Sequence, residues 1–276
     1  LWVKVPESMC FEFTGTFPEH VMAKDVILSV IGDIGVDGAT YRAMEWRGDA
    51  IMKLSMEERM TLCNMAIEAG GKNGIIEADD VTLDYVRQRT DAPYKVYHSD
   101  DDAQYFFKKT YNASEMEPVV AKPHSPDNKA KVSECLDVKL DRAYIGSCTG
   151  GKTTDFMAAA RLLKGRKVKI DTFIVPATRE VEQDLHKKKL GGETLVDIFK
   201  NAGAYLGEPS CAACLGGPKD TFGRATDNQV VISTTNRNFP GRMGSKQSQV
   251  YLASPYTAAA SALTGHITNP AEFINN

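Results

Sequence analysis

The chain has 276 residues, of which 42% are hydrophobic and 25% charged, and its formal net charge is −3. This composition is typical of a globular protein with enough apolar material for two modest cores. The acidic balance and the lack of a basic, aromatic patch argue against a nucleic-acid partner, and no apolar run reaches the ~18 residues that a membrane span needs. Six cysteines without a secretory signal indicate a reducing compartment.

The first part of the chain predicts a strand over residues 1–14, a helix near residues 21–31 and a second helix that starts at Ser55. Glu58 completes a capping box with Ser55, and the helix is expected to end at the glycine pair 70–71. Within it Asn64 and Glu68 are four residues apart, so both side chains should point from one face.

Residues 115–131 contain three prolines among charged and amide side chains, which is typical of a linker. The sequence therefore predicts two lobes, residues 1–120 and residues 121–276. In the second lobe, strands are predicted near residues 142–146, 168–175, 229–233 and 249–253. They alternate with helices, which are predicted near residues 154–164, 177–188, 193–202 and 257–264.

This alternation predicts an α/β protein with mainly parallel sheets and helices on both faces. Cys148 follows the first of these strands, and two arginines follow the third. Open α/β sheets bind ligands at the carboxyl ends of their strands, so these loops form a candidate site. The helix that begins near Thr154 is expected to point its positive N-terminal end toward an anionic group there.

Three cysteines lie in Gly-, Ser- and Ala-rich turns: Cys148, Cys211 and Cys214. Thiolates are soft ligands for zinc or iron–sulfur clusters, and three thiolates are one fewer than closes a four-ligand site. A Cys-x-x-Cys pair alone leaves three interpretations open, namely a redox pair, half a zinc site or half a cluster site.

The turn that contains Cys148 also fits a motif with a different function. Residues 146–153 match the phosphate-binding pattern GxxxxGK[ST] in full, ending in Lys152 and Thr153. A nucleoside triphosphatase also needs a strand that ends in a magnesium-binding aspartate. The nearest candidate is Asp171, after a short run interrupted by a lysine, so this alternative has weak support.

A further polar cluster follows the strand near residues 229–233 and contains Asn236, Arg237 and Arg242. Guanidinium groups pair with planar anions through two hydrogen bonds, so a Gly/Pro loop with two arginines suits a carboxylate or a phosphate. Exposed arginines also serve in ordinary surface ion pairs, and the loop alone does not decide between these roles.

Taken together, these segments resemble the aconitase superfamily, and within it most closely the family of isopropylmalate dehydratase large subunits. The resemblance rests on residues 146–149, 211–216, 236–242 and the helix segment 63–70, which stand in the order of the family. It implies the iron–sulfur domain fold of aconitases, with the first lobe like domain 2 and the second like domain 3. The pattern match around Lys152 then becomes coincidental.

The resemblance also implies a 4Fe-4S cluster held by Cys148, Cys211 and Cys214, with one iron open to substrate. It implies further roles for five side chains of the two lobes. By this resemblance Arg237 and Arg242 bind substrate carboxylates, Asn236 and Asn64 form hydrogen bonds near the cluster, and Glu68 handles the hydroxyl or water.

The implied reaction is hydro-lyase chemistry that converts 2-isopropylmalate to 3-isopropylmalate in leucine biosynthesis, or a related step on homoaconitate or aconitate. The family's Asp-His pair and Gly-Asp-Ser-His-Thr stretch are absent, and its serine base lies on a separate small subunit. We therefore expect the isolated chain to be inactive.

An RNA-binding relative is a further alternative. Residues 122–128 and 150–153 favour a plastid-stroma enzyme over a cytoplasmic one.

Overall fold

A computed structural model of the chain describes residues 2–274. Its first strands are β1 (Ser8–Thr14), β2 (Ala43–Arg47), β3 (Asn73–Ile76), β4 (Phe107–Asn112), β5 (Val119–Ala121) and β6 (Lys129–Lys131). They are followed by β7 (Arg142–Gly146), β8 (Asp171–Val175), β9 (Lys189–Leu190), β10 (Glu193–Thr194), β11 (Tyr205–Leu206), β12 (Val230–Ser233) and β13 (Gln249–Leu252).

The α-helices of the first half are α1 (Ala23–Ile34), α2 (Asp49–Met52), α3 (Met56–Asn64) and α4 (Asp80–Arg87). Those of the second half are α5 (Ser147–Gly150), α6 (Thr153–Leu163), α7 (Arg179–Lys187), α8 (Leu195–Ala202), α9 (Pro255–Thr264) and α10 (Ala271–Ile274). None of the helices in residues 2–274 combines the length and hydropathy that a membrane crossing requires.

The first sheet has the strand order β3-β2-β1-β4, and all its pairs are parallel. Its central strands carry large aromatic side chains that are fully buried. Phe11 and Trp46 lie on paired strands and stack with ring centroids 5.2 Å apart. Such contacts stabilise a parallel sheet because both strands bury their apolar side chains on the same face.

The second sheet has the strand order β11-β8-β7-β12-β13-β5-β6, in which the first five strands are parallel and the last two antiparallel. Alternate residues of β7 face opposite sides. Ala143 and Ile145 belong to an apolar cluster with α6, α8 and α9, whereas Tyr144 belongs to a cluster shared with the first sheet. The predicted α/β fold with mainly parallel sheets is confirmed.

The predicted linker is wrong, because residues 115–131 supply two strands of the second sheet. The buried triplet Val119–Ala121 forms β5, which pairs with β13 and β6. Short apolar runs between prolines can still form edge strands. The predicted boundary at residue 120 lies inside strand β5. The division into residues 1–120 and 121–276 stays a prediction.

The helix predicted from Ser55 exists with its capping box: Ser55 Oγ accepts from the Glu58 N–H at 3.3 Å, and Glu58 Oε2 accepts from the Ser55 N–H at 3.0 Å. The α-helix ends earlier than predicted, at Asn64, and continues as a 3₁₀ turn over Met65–Ala69 before Gly70 with φ 83°. The first strand begins at Ser8, and the Leu1 part of the predicted strand lies outside the described residues.

Candidate active site

The predicted site residues lie around one cavity of about 250 Å³. The cavity brings together the end of α3, the turn after β7, the loop after β11 and the loop after β12. It is lined by Asn64, Ile67, Glu68, Cys148, Cys211, Cys214, Leu215, Asn236, Arg237 and Arg242. All eight side chains singled out from the sequence thus face the same space.

The topology explains this convergence. Strands β7 and β12 are parallel neighbours, so the Cys148 turn and the loop of Asn236, Arg237 and Arg242 leave the same edge of the sheet. Strand β11 is the parallel edge strand of that sheet, and the loop that contains Cys211 and Cys214 follows it. Helix α3, which packs against α1 and β3, then closes the cavity.

The three thiols of the site are free and contact one another. Cys148 and Cys211 form a side-chain hydrogen bond, and so do Cys211 and Cys214. The hydrogen bond to Cys211, together with burial, raises the pKa of Cys148, whereas the hydrogen bond from Cys211 lowers the pKa of Cys214. The interactions among the thiols therefore shift the pKa values of Cys148 and Cys214 in opposite directions.

The donor set suits a cluster better than a single ion. In residues 2–274, no three His, Cys, Asp or Glu side chains surround one position for a metal ion. The cavity offers three thiols and no fourth cysteine, which is one ligand short of a closed tetrahedral zinc site. Three thiols that line one cavity can ligate separate metal atoms of a larger group.

The Cys148 turn is held in a tight conformation. Ser147 has φ 77°, which is left-handed backbone that a serine rarely adopts. Gly146 and Gly150 pack so closely against Val175 and Thr234 that a Cβ at either position would overlap them. The glycines therefore allow the turn to approach its neighbours and fix the direction in which Cys148 points.

Lys152 argues against a phosphate-binding loop. Its side chain is buried, and its ammonium donates to Thr61 Oγ1 at 2.8 Å and to the Thr149 carbonyl oxygen. The same Nζ lies 3.0 Å from Asp155 Oδ2. A phosphate-binding lysine must be free to reach a nucleotide, so Lys152 serves instead to stabilise the protein interior.

Carboxylates cap the first turn of helix α6, and the orientation of this helix toward an anionic group stays a prediction. The N–H groups at its start already donate to carboxylates: Lys152 N–H to Asp155 Oδ2 at 3.0 Å, and Thr154 N–H to Glu57 Oε2 at 2.7 Å. Carboxylates commonly satisfy the free N–H groups of a first helical turn. The positive end of α6 is therefore used within the fold.

Glu68 and Arg237 form an ion pair that links the two halves of the site. Arg237 Nε donates to Glu68 Oε1 at 2.8 Å and to Oε2 at 2.7 Å. The Glu68 side chain is 3% exposed, whereas that of Arg237 is 34% exposed. Burial raises the pKa of Glu68, and the hydrogen bond and charge of Arg237 oppose that rise.

The two asparagines are also joined. Asn236 Nδ2 donates to Asn64 Oδ1 at 2.8 Å, and Thr149 Oγ1 donates to Asn236 Oδ1 at 2.6 Å. Cys148 Sγ lies 3.9 Å from the same Asn236 oxygen. This chain of contacts orients both amides beside the Cys148 thiol.

Arg242 lines the cavity and also holds a buried donor. Its Nε has no hydrogen-bond partner among the residues that the structure describes. A buried, unsatisfied N–H costs about 1 to 3 kcal/mol. Arg242 also lowers the pKa of Glu68 through its charge.

Sequence reasoning missed three lining or supporting residues. Ile67 and Leu215 form the apolar part of the cavity wall. Their positions in the sequence could have identified them, because Ile67 lies next to Glu68 and Leu215 lies next to Cys214, and both neighbours are predicted site residues. Thr149 lies next to Cys148 in the same way, but its bond to Asn236 joins residues 87 positions apart and has no local signal.

Comparison with known protein families identifies the family of the chain. The model of the aconitase family (aconitate hydratase) matches residues 1–139 and 128–265. The chain therefore belongs to the aconitase family.

Its relatives within the family carry a more particular name. It is 57% identical over 278 residues to the chloroplastic 3-isopropylmalate dehydratase large subunit of Arabidopsis thaliana. This alignment covers 99% of this chain and 55% of the relative. It is 50% identical over 273 residues to the large subunit of Heliobacterium modesticaldum, covering 98% and 63%. For large subunit 1 of Pyrococcus abyssi the identity is 47% over 277 residues, covering 99% and 64%. The chain thus spans 55% to 64% of the length of these relatives.

Proposed function

We propose that this chain forms the cluster-bearing part of a 3-isopropylmalate dehydratase large subunit. The reaction is the isomerisation of 2-isopropylmalate to 3-isopropylmalate by dehydration and rehydration, a step of leucine biosynthesis. The observation that carries the proposal is the convergence of three thiols, two arginines, two asparagines and one glutamate on a single cavity. The names of relatives at 45% to 57% identity support the choice of substrate.

A 4Fe-4S cluster is the cofactor that matches the thiols. Cys148, Cys211 and Cys214 would hold it, since their side chains line one cavity and already contact one another. With three thiolate ligands, such a cluster keeps one iron free to act as a Lewis acid on a substrate hydroxyl.

The two arginines would bind the substrate carboxylates. Both arginines line the cavity. The Nε of Arg237 is occupied by Glu68, while the buried Nε of Arg242 has no partner among the described residues. Paired guanidinium groups bind a dicarboxylate strongly because each can donate two parallel hydrogen bonds.

Glu68 would manage the proton of the hydroxyl or water. Burial holds its pKa above the usual value, which favours proton exchange closer to neutral pH. Asn64 and Asn236 would orient the substrate hydroxyl by hydrogen bonds. Their amides are already aligned by the contact with each other and with Thr149.

The partner we propose is a small subunit, because the relatives are named large subunits. The location we propose is the plastid stroma, which the chloroplastic Arabidopsis relative supports at 57% identity. The bacterial and archaeal relatives support a cytoplasmic location instead. Fractionation of the source cells with an antibody against the chain would separate these locations.

A chimera tests the proposed activity. This chain would replace the matching segment of the Arabidopsis large subunit, and the product would be assembled with that enzyme's small subunit. We expect turnover of 2-isopropylmalate, measured through the absorbance of the unsaturated intermediate, to exceed that of homoaconitate and citrate. A folded, cluster-loaded chimera that prefers homoaconitate or citrate would contradict the substrate, and one without any turnover would contradict the activity.

The cofactor is tested on the chain itself. After anaerobic reconstitution we expect about four irons and four acid-labile sulfides per chain. Bound zinc without labile sulfide would contradict the proposed cluster and favour the zinc interpretation of the Cys-x-x-Cys pair.

A further inference from the structure

Lys24 is a buried cation behind the proposed active site. It is the second residue of α1, and its side chain is 2% exposed. Its ammonium donates to the carbonyl oxygen of Thr235 at 2.6 Å and to that of Thr234 at 3.3 Å. No carboxylate of the described residues forms an ion pair with it.

The other buried charges of this region are already paired. Lys152 pairs with Asp155, and Arg237 pairs with Glu68. Asp25, next to Lys24, accepts hydrogen bonds from the backbone N–H groups of residues 22 and 119 instead. Among the described residues, Lys24 is therefore a fully buried cation without a carboxylate partner, in an interior where an uncompensated charge costs several kcal/mol.

The two carbonyl groups that accept hydrogen bonds from Lys24 belong to the loop after β12, which also carries Asn236, Arg237 and Arg242. Thr234 and Thr235 lie directly before Asn236. Thr234 is also bonded to the cysteine turn, because its Oγ1 accepts from the Gly146 N–H at 2.8 Å and donates to the Gly146 carbonyl oxygen at 2.9 Å. The ammonium thus lies beneath the junction of the two loops that carry Cys148 and Asn236.

Negative charge in the cavity acts on Lys24 through the electrostatic field. Glu68, which lines the cavity, favours the charged form of Lys24. Burial works in the opposite direction and lowers the pKa of Lys24 to about 7. An anionic group bound at the thiols would therefore supply the compensation that the folded chain otherwise lacks.

We infer that Lys24 is a positioning residue whose buried charge compensates the anionic iron–sulfur centre and raises its reduction potential. This inference rests on the proposed function, since it requires the cluster. Reduction adds negative charge to the cluster, and a nearby buried cation stabilises the reduced form. Lys24 is not among the residues that line the cavity, so it would act through this field and through the two carbonyls.

The test variant is Lys24→Gln, whose amide can still donate to both carbonyls but carries no charge. After anaerobic reconstitution, we expect the one-electron reduction equilibrium of the cluster to shift at least tenfold toward the oxidised form, which is about 59 mV downward. The measurement is a redox titration followed by electron paramagnetic resonance. Lys24→Arg, which keeps the charge, should restore the potential to within twofold of the unsubstituted protein.

The matched control is Lys108→Met, because the Lys108 side chain is 56% exposed on β4. It should leave the equilibrium within twofold. An unchanged potential in Lys24→Gln would overturn the inference, even if the variant unfolds more easily, because Lys24 would then be a structural contact only. If Lys24→Gln does not fold, Lys24→Met provides the same measurement. If neither variant folds but Lys24→Arg folds with an unshifted potential, the result still supports a required charge. Misfolding of all three variants would overturn it.

The inference and the proposed function fail in different ways. An unsubstituted protein that takes up no cluster would overturn both. A cluster-loaded protein whose potential ignores Lys24 would overturn this inference alone.

Discussion

The ion pair between Arg237 and Glu68 should be the contact of the site on which stability depends most. Glu68 is 3% exposed and accepts from Arg237 Nε at 2.7 and 2.8 Å. Two unit charges about 4 Å apart interact by roughly 4 kcal/mol at an effective dielectric constant of about 20. Removing one partner of a buried pair costs about 3 to 5 kcal/mol, and Arg237 is one-third exposed, so we expect Arg237→Met to lose about 3 kcal/mol.

The loss should depend on pH with a definite sign. Burial already raises the pKa of Glu68, and without Arg237 that pKa rises further. A carboxyl group whose folded-state pKa is raised destabilises the folded state above that pKa, and the penalty disappears as the pH falls toward the unfolded value of about 4.3. The free energy of unfolding of Arg237→Met should therefore approach that of the unsubstituted protein as the solution is acidified.

Urea unfolding at pH 8 and near pH 5 measures this effect. Glu68→Gln in the Arg237→Met background should recover most of the loss, because it removes the buried charge. Arg87→Met is the matched control: Arg87 lies 2.9 Å from Asp84, but both side chains are more than half exposed, so less than about 1 kcal/mol should be lost. A loss in Arg237→Met below about 1 kcal/mol at pH 8, or one that does not change with pH, would refute the reasoning.

Three further predictions concern separate parts of the molecule. The Arg59 hydrogen bonds lower the pKa of Asp79 to about 2, so their stabilisation is present above about pH 4 and lost as the pH falls toward 2; urea unfolding of Asp79→Asn should show a flatter dependence over this window, and an unchanged slope would contradict it. Cys211→Ser should lose the reconstituted cluster by iron and sulfide analysis, whereas Cys135→Ser, at a buried cysteine outside the cavity, should keep it; equal loss in both would count against Cys211 as a ligand. Arg242→Lys in the chimera should lower kcat/KM roughly 30- to 1000-fold with cluster content intact, and near-normal kcat/KM would show that Arg242 does not bind a substrate carboxylate.

Much of the site could be predicted from local pattern. Cysteines in Gly-rich turns and arginines after a strand are visible in the sequence, and parallel strands bring their carboxyl ends to one edge. This rule correctly placed Cys148 and Arg237 on neighbouring loops. The four-residue spacing of Asn64 and Glu68 correctly placed both on one side of the cavity, although the helix changes to a 3₁₀ turn between them.

Local pattern failed where a residue's role depends on a distant partner. Residues 115–131 have the composition of a linker, but β13 offers an open edge on which Val119–Ala121 pairs. Lys152 matches a phosphate-binding motif, but Thr61, 91 residues away, accepts a hydrogen bond from it in the interior. Composition cannot show either partner.

The sequence by itself determined the α/β class, the strand-to-loop positions and the chemical types of the site residues, because periodicity and turn residues act over a few positions. Tertiary structure alone decided which charges meet. Glu68 and Arg237 are 169 residues apart, and Lys24 lies 211 residues from the carbonyl it binds most closely. Such pairs form only when distant segments of the chain pack together. Burial then removes water as the alternative partner, so each charge requires a protein group.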